Sequence, residues 1–109
     1  MASQAVGHEH DIGPLEQIPV GEGRNFSVGC ATVAVFRTHL GRVFATQPNC
    51  PHKQGPLADG LVGGVTLICP LHERAFNLET GDEAGTNCQL TVYPARITAE
   101  ATIAVQMPA

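Results

Sequence analysis

Nowhere in the 109 residues do apolar side chains recur at helical spacing for three turns. A helix longer than a turn or two is therefore not expected. Apolar residues instead fall into short runs at 26–28, 31–36, 43–45, 65–68, 90–93 and 103–105, enriched in β-branched types and separated by Gly, Pro, Asn or Asp. That is a strand pattern, and the class is all-β. Leu40-Gly41 and Gly63-Gly64 each lie between two such runs and fit tight hairpin turns. The length allows one domain with one core. Residues 1–12 mix small and polar types without period and are expected to form a flexible tail, leaving 13–107 as the domain.

Charge and composition exclude several partners. The formal net charge is -4 and no Lys/Arg cluster occurs, so neither nucleic acid nor an anionic membrane surface has an electrostatic footprint here. The first eleven residues lack the basic flank and apolar run of a signal peptide, and no stretch nears the roughly 18 apolar residues of a membrane span. A soluble, cytoplasmic protein is expected. Gly21-Glu22-Gly23 lacks the strand-then-helix setting of a dinucleotide fingerprint and reads as a turn. With no secretory signal, the four cysteines point to metal or redox chemistry before a disulfide framework.

Their spacing sharpens this. Cys50-Pro51-His52 is followed, after sixteen intervening residues, by Cys69-Pro70-Leu71-His72. Each half pairs one thiol with one imidazole, in a Pro-containing loop just after an expected strand, so two loop tips on a sheet scaffold could converge on one site. Thiolate and imidazole together suit zinc or iron-sulfur chemistry. A structural Cys2His2 zinc site uses the same ligand types, although zinc motifs more often keep like ligands together. A Cys50–Cys69 disulfide is a further alternative, but it leaves the histidine spacing unexplained.

The order C-P-H and C-P-L-H, with Gly55-Pro56-Leu57 and Gly60 between, resembles the Rieske signature C-x-H…C-x-x-H. The resemblance extends from about Gly13 to Val105. It implies a small antiparallel β-sandwich bearing a cluster-binding subdomain of two loops. It also implies one [2Fe-2S] cluster, with Cys50 and Cys69 on the buried iron and His52 and His72 on the outer iron. Gly55, Pro56 and Leu57 would shield the cluster from the side, and the histidines would be the entry and exit point for the electron.

The resemblance also bears on potential. High-potential respiratory members carry an extra Cys in each loop, forming a disulfide, and a Ser and Tyr after the second His. Here Gly55 and Leu71 stand where the extra cysteines would be, with Arg74 in place of the Ser and Phe76 in place of the Tyr. Phe76 has no hydroxyl to donate. A low-potential ferredoxin type is implied, toward the low end of the roughly -150 to +300 mV Rieske range. Of the other cysteines, Cys30 begins an expected core strand and reads as a buried, inert thiol, whereas Cys88 is left open. His8, His10 and His39 have no partner at ligand spacing.

Two branches of the family fit. The runs at 50–63, 69–72, 76–81 and 88–97 resemble the cluster-retaining small subunit of NAD(P)H-dependent assimilatory nitrite reductase, toward which the stretch from Cys88 to Tyr93-Pro94 leans. The ferredoxin that feeds aromatic-ring dioxygenases shares the ligands, Leu71 and Phe76. In either, the partners are a flavin- or NAD(P)H-linked reductase and a terminal reductase or oxygenase. A third reading is an accessory subunit whose cluster is only structural. The chain shows no nucleophile with a base and no further cofactor fingerprint. It is thus an electron carrier by itself, and catalysis would belong to a partner.

Overall fold

The computed structural model describes residues 8–29, 31–50, 56–69, 74–86 and 88–107. Ten short strands run β1 His8–Pro14, β2 Gly23–Val28, β3 Ala31–Arg37, β4 Val43–Thr46, β5 Leu61–Gly63, β6 Thr66–Ile68, β7 Ala75–Asn77, β8 Val92–Tyr93, β9 Ala95–Ile97 and β10 Thr102–Met107. Only two single 3-10 turns, Leu15–Gln17 and Leu57–Asp59, interrupt them among the described residues. No helix there is long and apolar enough to cross a membrane.

Three antiparallel sheets result, ordered β1-β10-β9, β2-β3-β4-β8 and β5-β6-β7. β3 explains how they join. Its residues Val33, Ala34, Val35 and Phe36 are all buried, and side chains alternate across a strand. Val33 and Val35 therefore enter one core, with Ile18, Val28, Val43, Ala45, Ile103, Val105 and Met107. Ala34 and Phe36 enter a second, with Cys50, Leu57, Val62, Leu67, Cys69, Phe76, Leu78 and Leu90. The first core fills the sandwich between the two larger sheets. The second fastens the small β5-β6-β7 sheet to the back of β3.

The tertiary structure adds what short-range patterning missed. The expected tail begins to pair at His8, and the register His8↔Met107 through Asp11↔Ala104 makes residues 8–12 part of a strand rather than a loose lead-in. β7 and β9 have three residues each, too few to show a period. Of the run at 90–93, only Val92 and Tyr93 pair with β4. Both expected hairpins form. Gly41 lies between β3 and β4 at φ +78°, and Gly64 lies between β5 and β6 at φ +59°, a region that glycine enters without a Cβ clash.

Candidate metal centre

The two cysteines of the paired motifs come together. Cys50, which follows β4, and Cys69, which follows β6, are 1% and 0% exposed and belong to the same apolar core. Neither is joined in a disulfide. His52 and His72 lie outside the described residues, as do Gly55, Leu71 and Cys30. Among the described residues no group of three or more potential ligands gathers at metal-binding separation, and the expected set of four includes those two histidines.

Both loops are closed at their necks by main-chain bonds. In the first, Asn49 forms an isolated bridge with Pro56, and the Leu57 amide donates to the Pro48 carbonyl at 3.0 Å. The Gln47 side chain reinforces this start. Its Nε2 donates to the Asn49 carbonyl at 2.7 Å, and its Oε1 accepts from the Thr91 amide at 2.8 Å. In the second loop, the Cys69 amide donates to the Arg74 carbonyl at 2.8 Å, so the chain leaves and returns at the cysteine itself. Such closure places each thiol on a rigid base at the neck of its loop.

The residues behind the loops are apolar. Leu57, expected as a lateral shield, is fully buried, and Phe76 is 1% exposed in the core that holds both thiols. Gly60 is needed for close approach, because a Cβ there would meet the Ile68 carbonyl oxygen. Cys88 is half-buried, and the Glu83 amide donates to its carbonyl at 3.0 Å. His39 is exposed in the β3–β4 turn, and His10 is half-buried on β1. Neither residue belongs to the core that holds the two thiols.

One feature gave no signal in the sequence. Glu83 is only 5% exposed, and its Oε2 lies 2.6 Å from Nη1 of Arg74. The hydrogen bond to Glu83 holds the Arg74 guanidinium above its ordinary range. Desolvation opposes this, and the charges of Glu83, Cys88 and Cys50 add to the pull. Arg74 Nε is buried and has no hydrogen-bond partner among the described residues. An unsatisfied buried donor is costly, and it suits a site that receives an acceptor. Two buried thiols on clamped loops, and an orphaned donor on the residue whose carbonyl closes the second loop, fit an iron-sulfur group, whose sulfurs accept such bonds.

The comparisons with known proteins agree. Residues 8–94 match the Rieske [2Fe-2S] domain family. The biphenyl dioxygenase ferredoxin subunit of Pseudomonas sp. (strain KKS102) is 35% identical over 86 residues, covering 76% of this chain and 78% of that one. The ferredoxin component of the naphthalene 1,2-dioxygenase/salicylate 5-hydroxylase systems of Ralstonia sp. is 29% identical over 89 residues, covering 80% and 85%. Among solved structures, a protein described as an NADH-dependent nitrite reductase small subunit from Mycobacterium tuberculosis superposes with a TM-score of 0.86 at 26% identity, covering 94% and 96%. The clamped loops, the buried thiols and the family match together make this chain a member of the Rieske [2Fe-2S] family, a cluster-binding domain of the electron-transfer ferredoxin type.

Proposed function

We propose that the chain is the ferredoxin component of an oxygenase system. It would carry single electrons from a flavin-linked NAD(P)H reductase to a terminal oxygenase through a cluster held by Cys50, His52, Cys69 and His72. When bound, a [2Fe-2S] cluster accepts and releases one electron at a time. The observation that carries the ligand assignment is the burial of Cys50 and Cys69 in one core at the necks of two closed loops. Buried thiolates suit the inner iron, and histidines two and three residues further along suit the outer one. The oxygenase role is supported by relatives named as dioxygenase ferredoxins that match this chain over most of both lengths. This moves the weight away from the nitrite-reductase branch toward which the Cys88 region leans.

That branch remains the second reading, favoured by the TM-score of 0.86 against the M. tuberculosis protein. Reconstitution separates the two. Holoprotein that is reduced by an NADH-dependent flavin reductase and supports turnover of a ring-hydroxylating oxygenase fits the first. Co-purification with a large sirohaem and flavin subunit, with no support of oxygenase turnover, would replace it with the second. Iron and acid-labile sulfide in equal amounts, about two of each per chain, are expected in either case. Stoichiometric zinc in colourless protein would remove both.

A further inference from the structure

Arg74 is fixed at both ends. Its carbonyl accepts the Cys69 amide at 2.8 Å, and its Nη1 is 2.6 Å from the Glu83 carboxylate. Glu83 is in turn set by backbone. It forms an isolated bridge with Phe76, its amide donates to the Cys88 carbonyl at 3.0 Å, and the next amide, of Ala84, donates to the Ala75 carbonyl at 2.9 Å. A guanidinium gripped through one terminal nitrogen leaves Nε–H as a donor of fixed direction. That Nε is buried and unpartnered among the described residues. The side chain as a whole is 37% exposed, so the charge is partly screened while the Nε–H is not.

We propose that Arg74 sets the potential of the centre: its buried Nε–H, positioned by Glu83, donates a hydrogen bond to a sulfur of the [2Fe-2S] group, and its positive charge favours the reduced form. This rests on the ligand assignment proposed above. Reduction adds one electron to the cluster, supplied by an electrode or by the flavin reductase, and breaks no bond. The added negative charge strengthens a charge-assisted hydrogen bond to sulfur, so the donor stabilises the reduced state more than the oxidised one. Arg74 therefore offsets part of what Phe76 fails to supply. Glu83 acts as a positioning residue, and its own negative charge limits the gain.

The test uses loaded full-length protein. In wild-type protein grown with arginine labelled with nitrogen-15 at Nε, pulsed electron paramagnetic resonance of the reduced cluster should show a weak nitrogen coupling. Arg74→Lys should lose it. Protein-film voltammetry should find the Arg74→Gln midpoint lower by about 59 mV, a tenfold shift in the one-electron equilibrium. Arg74→Lys, which keeps the charge without the Nε–H, should fall part of the way. A loaded wild type without that coupling, or an Arg74→Lys midpoint equal to wild type, overturns the hydrogen-bond assignment. The labelled wild-type measurement decides even if a variant fails to load. A wild type without iron and sulfide would instead overturn the ligand reading itself.

Discussion

The Leu57 amide donates to the Pro48 carbonyl at 3.0 Å, so the segment carrying Cys50 starts and ends at one point. Leu57 also sends a fully buried side chain into the core that holds both thiols. One residue thus closes the loop by its main chain and anchors it by its side chain. Leu57→Ala keeps the first and removes the second. It should destabilise the protein by about 2–5 kcal/mol, the range for truncating a buried leucine, and should speed cluster loss. Thermal unfolding and iron content over time check both.

Serine at Cys50 or Cys69 should abolish or alter the cluster spectrum, and replacing His52 or His72 should do the same. Cys30→Ser and Cys88→Ser should leave the spectrum unchanged. Visible absorption and electron paramagnetic resonance, with an average g below the free-electron value, report the result. Loss of colour in the Cys30 variant would mean a different ligand set.

The midpoint potential should lie toward the low end of the roughly -150 to +300 mV Rieske range. Phe76 is buried in the core shared with Cys50 and Cys69 and has no hydroxyl to donate. Phe76→Tyr should raise the potential, because a donor to a cluster sulfur favours the reduced state. Voltammetry of the two proteins decides it, and a wild-type midpoint near the top of the range would refute the low-potential assignment.

Arg96 on β9 reaches across β10 to Glu9 on β1, with Nε and Nη2 each 2.8 Å from a carboxylate oxygen. The hydrogen bond to Arg96, opposed by desolvation and aided by the Arg96 charge, holds the Glu9 carboxyl below its ordinary range. A lowered folded-state value means the pair stabilises at neutral pH, and its contribution is lost as the pH falls through that value. Glu9→Gln should therefore be slightly less stable than wild type at pH 7 and equal to it well below the ordinary carboxylate range. Because both groups are largely exposed, the difference should be small and should shrink with salt. Urea unfolding across pH measures it.

Ala101, in the turn between β9 and β10, has φ +62°, the one described non-glycine residue in the left-handed region. Its amide donates to the Thr98 carbonyl at 3.0 Å, and the Thr98 hydroxyl accepts from the Thr102 amide at 3.2 Å, so the turn imposes the angle. Relief of strain should outweigh the extra freedom glycine gives the unfolded chain. Ala101→Gly should be stabilising, by about 1 kcal/mol at most, in the same urea assay.

By itself, the sequence determined the all-β class, the positions of the hairpins and the pairing of a thiol with an imidazole in each of two loops. These follow from local spacing, because strand alternation, turn residues and ligand motifs are properties of neighbours along the chain. Tertiary structure decided the rest. Which elements cover the two faces of β3 was not legible, since the unbroken apolar run at 33–36 signals burial on both faces without saying by what. β1 from His8 was hidden because its partner β10 lies some ninety residues away and its side chains carry no alternation. The pairing of Glu83 with Arg74 had no sequence signal either. An acid in a polar turn becomes a buried counter-charge only when residues 82–84 bond back onto β7 and leave it little contact with water.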